Sequence, residues 1–153
     1  MKLARVVVIA TGVLALATVA FAQKTDFSGT WTLDPASATA AGGRDSSLGD
    51  GPATVKQTAD ALTVERTVGD AKVILTYKLD GSDSRNLIVG PGGQPADSMS
   101  NARWDGPKLT ILTKQEMDGQ LTQSTEVWTI VGDALAVETT NARGTQKGVY
   151  KKT

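Results

Sequence analysis

Apolar and polar residues alternate one by one through most of this 153-residue sequence. Between residues 71 and 79, every odd-numbered position is apolar or aromatic, and three of the four even-numbered positions are Lys or Thr. A period of two is typical of a β-strand with one buried face, and no window of about a dozen residues carries the apolar stripe of a helix. The pattern predicts about ten strands, over residues 27–33, 53–58, 62–68, 71–79, 85–89, 98–104, 108–117, 120–131, 134–140 and 146–151.

Pairs of Asp and Gly separate several of these segments. Gly69-Asp70, Asp105-Gly106, Asp118-Gly119 and Gly132-Asp133 accept the positive φ of tight hairpins. Links this short join only antiparallel neighbours. The sequence therefore predicts an all-β fold, an antiparallel up-and-down meander. Closure into a barrel of about 8–10 strands would remove its two open edges. A β-sandwich remains the alternative, because spacing along the sequence does not separate the two architectures.

Two segments interrupt the alternation. Residues 34–51 are rich in Ala, Gly and Ser and carry no apolar stripe, so we expect a mobile loop or lid there. Residues 90–97 hold three Gly and two Pro. That composition favours a turn without strand potential.

The N-terminus has the three parts of a secretory signal peptide. Two basic residues precede an uncharged, mostly apolar run, and Ala20-Phe21-Ala22 supplies the small-x-small pattern of a cleavage site. The run is shorter than the roughly 20 residues that span a bilayer, so no stable membrane anchor is expected after cleavage. We expect residues 1–22 to be removed, residues 23–153 to form a single domain, and the protein to be exported, either periplasmic or secreted.

The sequence contains neither Cys nor His. Their absence excludes disulfides, thiolate nucleophiles, Cys/His zinc sites and a Ser-His-Asp triad. Lys and Arg together balance Asp and Glu at 16 each, which argues against a nucleic-acid binder. We expect a protein that is not an enzyme and that holds no metal and no cofactor. We also expect a monomer.

The motif Phe27-Ser28-Gly29-Thr30-Trp31 is similar to the Phe-x-Gly-x-Trp opening of the calycin superfamily, which includes lipocalins and intracellular fatty-acid-binding proteins. The length, the strand count and the ending Val149-Tyr150-Lys151-Lys152 resemble the fatty-acid-binding type. With its Trp104-Asp105-Gly106 turn, the sequence most resembles bacterial exported lipocalin-like proteins. The resemblance implies a barrel that binds a small apolar or amphipathic molecule.

The same resemblance implies that Trp31, with Gly29 leaving room for its indole, plugs the closed end of the barrel. A cationic side chain near the last strand would cover the ring, and Arg143, Lys147 and Lys151 are the local candidates. The sequence departs from the family at three places. Residues 35–51 do not resemble the two helices of the fatty-acid-binding type, Gly148 stands where that type has a carboxylate-binding Arg, and the two lipocalin cysteines are missing.

Arg66 falls on the same strand face as Leu62 and Val64, and an inward Arg has to be paired, hydrated or bound to an anion. In a barrel that binds a ligand, Arg66 would be the partner of an acidic head group, in place of the Arg missing at Gly148, and a structural or solvated role is the alternative for each Arg. Arg103 shares a face with Met99 and Asn101, although the alternation does not say which face points inward. The strand residues Glu65, Glu116, Glu126 and Glu138 are expected to point outward. The candidate ligand-binding residues are Leu62, Val64, Arg66, Leu75, Tyr77, Arg103, Trp104 and Trp128.

The function that these observations favour is an exported, non-enzymatic binding protein for a small apolar or amphipathic ligand. The alternative is an envelope or extracellular interaction module, for example an inhibitor, with a filled barrel and active loops at residues 34–51 and 90–97. An enzyme that relies on carboxylates or Lys ranks third.

Overall fold

Ten strands form one antiparallel sheet in the computed structural model, which describes residues 24–39, 45–89 and 93–153. The expected signal peptide, residues 1–22, lies outside these described residues. Between the first two strands, a 3₁₀ turn covers Pro35–Ser37. The strands are β1 (Gly29–Leu33), β2 (Ala53–Gln57), β3 (Ala61–Val68), β4 (Ala71–Lys78), β5 (Asp83–Val89), β6 (Pro95–Asp105), β7 (Lys108–Met117), β8 (Gln120–Val131), β9 (Ala134–Asn141) and β10 (Gly144–Lys152).

Consecutive strands pair antiparallel, except at β4 and β5. The first and last strands also pair, with Trp31 opposite Lys152. The sheet therefore runs in the order β4-β3-β2-β1-β10-β9-β8-β7-β6-β5, and its curl brings β4 beside β5. The result is the nearly closed ten-stranded barrel that the alternation and the short turns predict. The β-sandwich alternative is wrong.

The seam between β4 and β5 is bridged by side chains instead of a backbone ladder. The Asn86 side chain accepts a hydrogen bond from the Thr76 N–H at 2.7 Å and donates one to the Thr76 carbonyl at 3.0 Å. Next along β4, the Ser84 hydroxyl oxygen accepts a hydrogen bond from the Lys78 N–H at 2.8 Å. Both side chains are buried. One amide and one hydroxyl thus satisfy backbone groups that a missing strand pairing would otherwise leave open.

We expect Asn86→Ala to lower the free energy of unfolding by about 1–3 kcal/mol, because it leaves the N–H and the carbonyl of Thr76 without partners. The effect should be local to the seam. Hydrogen exchange of the Thr76 amide should become faster, whereas amides of the β9–β10 ladder should keep their protection. Unchanged exchange at Thr76 would show that the Asn86 side chain does not hold the seam.

The hairpin between β7 and β8 illustrates how the Asp-Gly pairs work. Met117 lies opposite Gln120, so the loop between them has two residues. Asp118 has φ +52° and Gly119 has φ +75°. Positive φ at both central residues is the requirement of a type I′ turn, whose twist matches that of the flanking strands. The Asp118-Gly119 pair therefore makes the tight turn that its composition indicates.

The expectation that residues 90–97 lack strand structure is wrong for residues 95–97. β6 begins at Pro95, which pairs with Val89 of β5. Proline is tolerated as the first residue of a strand, where its missing N–H is not needed by the ladder. Residues 90–92 lie outside the described part of the chain, as do residues 40–44 of the other expected loop.

The two ends of the barrel differ. At the closed end lie residues 24–28 and the β6–β7 turn, where the Thr25 hydroxyl donates to the Pro107 carbonyl at 2.6 Å. At the opposite end, which we call the mouth, residues 45–49 cross the opening. Within the described ranges, no helix is long and apolar enough to cross a membrane.

Candidate functional site

Trp31 and Gly29 lie at the closed end of the barrel. The Trp31 ring is 2% exposed, and its Nε1–H donates to the Phe27 carbonyl at 2.9 Å. Lys152 Nζ lies 5.4 Å from the ring centroid. Gly29 has φ +147°, and a Cβ at this position would collide with the Lys152 side chain. The glycine thus gives the cation access to the indole, a contact of about 0.5–2 kcal/mol.

The cation over Trp31 is therefore Lys152, and the three residues that the sequence suggested for this role are wrong. Their charged groups are held elsewhere by carboxylates, at 2.7–2.9 Å. The pairs are Arg143 with Asp45, Lys147 with Glu138, and Lys151 with Asp34.

Trp104 and Trp128 meet through Phe27. The Phe27 ring stacks on Trp104 with centroids 5.9 Å apart, and it contacts Trp128 edge-on at 5.6 Å. Trp128 is fully buried, whereas Trp104 is half-buried with Lys24 Nζ 5.7 Å from its ring. Trp128 therefore belongs to the interior, and Trp104 to the rim of the closed end.

The remaining apolar candidates line the interior. Leu62 and Val64 of β3 and Leu75 and Tyr77 of β4 are all buried. They also lie opposite one another in register, as Leu62 with Tyr77 and Val64 with Leu75. The alternation of these two strands thus places the four side chains together on the inner face.

Arg103 points out of the barrel, because the neighbouring Ala102 is the buried residue of the alternating pair. Its Nε–H donates to the Asn101 side-chain oxygen at 2.9 Å. Together with Met99, Leu112 and Lys114, it lines a groove of about 540 Å³ on the outer face of the sheet. The structure does not bring Arg103 together with the inner candidates.

Arg66 lies on the inner face at the mouth. It lines a cavity of about 260 Å³ between residues 48–52 and residues 66–69. Its Nε is buried and makes no hydrogen bond to any residue that the structure describes. Gly49, with φ +70°, lies so close that a Cβ there would come within 2.5 Å of Arg66 Nη1. The guanidinium thus faces the cavity with donor capacity unused.

Residues 45–49, which we call the strap, cross the mouth and enter the barrel. Asp45 Oδ2 accepts hydrogen bonds from Asn141 Nδ2 at 3.1 Å and Arg143 Nη2 at 2.7 Å. The Gly49 carbonyl accepts one from the Tyr150 hydroxyl at 2.9 Å. Between these two anchors, the Leu48 side chain is fully buried. The segment expected to be a mobile loop or lid therefore has a fixed portion inside the fold.

Glu126 on β8 holds the middle of the strap. Its Oε1 accepts from the Ser47 N–H at 2.7 Å. Its Oε2 accepts from the Ser47 hydroxyl at 2.8 Å and from Trp128 Nε1 at 2.9 Å. Burial raises the pKa of Glu126 above its ordinary value, although these donors and the charge of Arg66 oppose the change. The side chain is 5% exposed, so the expectation that Glu126 points outward is wrong.

The tyrosine hydroxyls belong to the same enclosed environment. Burial is the larger cause of a raised pKa at Tyr77, and the nearby charge of Glu126 is the second cause. Burial raises the pKa of Tyr150 to about 12. Both phenols therefore stay neutral near pH 7. The interior at the mouth offers neutral hydroxyls, the Glu126 carboxyl group and the Arg66 guanidinium, and Asp50 also lines the cavity beside Arg66. In the described residues no cluster of three or more Asp and Glu could hold a metal ion.

No protein-family model and no curated protein matches the sequence. Solved structures do match. Human cRBP IV has 22% identity and a TM-score of 0.60, over 84% of this chain and 99% of that one. Secretory abundant heat soluble protein 4 from Ramazzottius varieornatus has 19% identity and a TM-score of 0.59, over 86% and 99%. Caenorhabditis elegans lipid binding protein 8 has 11% identity and a TM-score of 0.56, over 83% and 95%.

At these identities the likeness concerns the fold. The match agrees with the topology, since it extends over almost the full length of each of the three neighbours. The nearly closed barrel of ten antiparallel strands, with first and last strands paired, has the calycin fold of the fatty-acid-binding and lipocalin-like proteins.

Proposed function

We propose that this protein binds a small apolar or amphipathic molecule through the mouth of its barrel. The observation that carries the proposal is the cavity of about 260 Å³ beside Arg66, whose buried Nε has no partner among the described residues. A buried donor left unpaired is costly, and an acidic group at this position would satisfy it. One of the similar structures is named a lipid binding protein, which is consistent with this proposal.

The apolar end of such a ligand would lie against the inner face formed by Leu62, Val64, Leu75, Tyr77 and Trp128. Burying about 200–300 Å² of apolar surface would contribute roughly 5–8 kcal/mol before the costs of association. Micromolar affinity is therefore within reach. Arg66 would add a charge-assisted hydrogen bond of about 1.5–3 kcal/mol for an acidic head group.

Arg66→Gln should weaken the binding of dodecanoate tenfold or more and leave the binding of dodecanol nearly unchanged, because only the anion uses the guanidinium. Titration calorimetry or Trp fluorescence measures both ligands. Arg103→Gln is the matched control, since Arg103 is exposed on the outside of the barrel, and it should alter neither affinity. Equal losses for both ligands would make Arg66 a structural residue.

A second candidate function rests on the strap. Ser46, Ser47 and Leu48 are buried inside the barrel, as in an interaction module whose interior is filled by its own chain and whose loops meet a partner. The two candidates separate in one experiment. If no apolar probe changes the Trp fluorescence, the filled module is favoured.

We also propose that the protein is exported and non-enzymatic. The signal-like N-terminus supports export, as does the word secretory in the name of one structural neighbour. The missing His and Cys support a role other than catalysis. If the signal peptide is removed, N-terminal sequencing of the protein from its own host will read Gln23 first. An intact Met1 chain recovered from membranes would contradict the proposal.

A further inference from the structure

A row of polar side chains crosses the inner wall of the barrel on three adjacent strands. Glu126 of β8 lies opposite Thr139 of β9, and Thr139 lies opposite Gln146 of β10. Thr139 is fully buried. Neither its hydroxyl nor the buried amide oxygen of Gln146 makes a hydrogen bond within the described part of the chain. Buried polar groups are normally paired, so this row has hydrogen-bonding capacity that the described residues leave unused.

The group that meets the row is Ser47. Its N–H reaches Glu126 Oε1 at 2.7 Å, and its hydroxyl reaches Oε2 at 2.8 Å. The nitrogen and the hydroxyl oxygen of a serine are carried by two directly bonded carbons. A 1,2-diol carries its two hydroxyl groups in the same relation. The two carboxylate oxygens thus accept hydrogen bonds from two donors on neighbouring carbons. A small molecule can present its donors in the same arrangement.

Removing the strap would leave Glu126 with the Trp128 indole as its remaining hydrogen-bond donor among the described residues. A buried carboxylate that lacks hydrogen-bond donors destabilises the folded state. The strap can therefore leave the interior at low cost only when another molecule supplies two donors to the same oxygens. Ser47 is in this sense an internal substitute for a ligand.

The charges around Glu126 select a neutral head group for this position. Arg66 acts on Glu126 from β3, so an ammonium head group, although attracted by Glu126, would compete with the guanidinium that already offsets its charge. An acidic head group would be repelled by Glu126 itself. The other groups facing it are the phenols of Tyr77 and Tyr150, both neutral near pH 7. A neutral pair of O–H or N–H donors meets no opposing charge.

We propose that Glu126 and Thr139 form a polar subsite for a neutral amphiphile with two donors on adjacent carbons, such as a 1,2-diol on an acyl chain. Both hydroxyls of the ligand would donate to Glu126, the Thr139 hydroxyl would donate to one of them, and Ser47 occupies this subsite until the ligand displaces it. The proposal rests on the proposed function, because it names a ligand class for the same mouth. The subsite is more buried than Arg66 and uses different residues.

The test compares 1-monododecanoylglycerol with methyl dodecanoate, which has the same acyl chain and no donors. We expect the diol to bind the full-length protein at least tenfold more tightly. Thr139→Val keeps the shape of the side chain and removes only its hydroxyl. It should weaken the diol about three- to tenfold, the range for one hydrogen bond, and leave the ester unchanged. Because Thr139 Oγ1 makes no hydrogen bond to the described residues, this variant should fold normally.

Thr140→Val is the matched control, since the Thr140 side chain is exposed and bonded to Thr145, and it should change neither affinity. Displacement has its own readout. Hydrogen exchange at the Ser47 amide should accelerate with the diol and stay unchanged with the ester. Equal affinity for diol and ester, or unchanged hydrogen exchange at the Ser47 amide, would overturn the proposed subsite. If dodecanoate still binds in that case, the proposed function stands. If dodecanoate, diol and ester all fail to bind, both proposals fall.

Discussion

Trp128→Ala should lower the free energy of unfolding by about 3–5 kcal/mol, the range for removing a buried aromatic side chain. The indole is fully buried, contacts Phe27 edge-on and donates to Glu126. Its loss would open a cavity beside Glu126 and remove one donor from a buried carboxylate. Urea unfolding followed by far-UV circular dichroism measures the change.

Trp104→Ala is the control for this prediction, because Trp104 is half-buried and its buried Nε1 makes no hydrogen bond to the described residues. We expect a clearly smaller loss. Trp128→Phe separates the two contributions at Trp128, since it keeps a ring and removes the N–H. It should cost about 1–3 kcal/mol. Equal losses for the two alanine variants would contradict the larger contribution that full burial and the hydrogen bond to Glu126 give to Trp128.

Stability should fall as the pH rises above the ordinary pKa of glutamate, 4.5, because of Glu126. Its pKa is raised in the folded protein, chiefly by burial. The folded state therefore binds more protons than the unfolded chain above that pH. The stabilisation is complete below about pH 4.5 and is lost as the pH rises through the folded pKa. The slope for one group is at most about 1.4 kcal/mol per pH unit.

Urea unfolding of the native protein and of Glu126→Gln across pH 4.5–8 measures this effect as a difference. Carboxylates whose pKa is lowered, such as Asp26 beside Ser28 and Asp97 beside Arg85, act in the opposite direction. They stabilise above their unfolded pKa and lose that contribution as the pH falls. They are present in both proteins and cancel in the difference. A difference that is flat, or that rises with pH, would contradict the role given to Glu126.

The strands were predictable because most of them have one apolar face. In β4, the residues at 73, 75 and 77 are buried while their neighbours are exposed, so periodicity and burial give the same answer. The Asp-Gly pairs then fix where the chain reverses. The same reasoning placed Arg66 on the inner face, because β3 alternates in the same way.

Glu126 could not be placed by this reasoning because β8 is apolar on both faces. Trp128 and Ile130 share its face, and Val127 and Val131 share the other. Strand periodicity cannot decide which of two apolar faces points into the barrel. The available signal was that Glu126 shares a face with Trp128, a large aromatic residue. The strap was missed for a different reason. Ser47 is held by hydrogen bonds to Glu126 on a distant strand, and such contacts leave no period in the sequence.

The pairing of β1 with β10 ties the end of the chain to its beginning. The contact between Trp31 and Lys152 encloses nearly the whole described chain in a single loop, whereas most other strand pairings are short hairpins. Local hairpins form early, and contacts between residues far apart in sequence form slowly. Two partial sheets, β1–β4 and β5–β10, can therefore assemble separately during synthesis. They can pair through β1 and β10 only when the last strand has emerged, so the barrel stays open, and Trp31 stays without its Lys152 contact, until β10 has been synthesised.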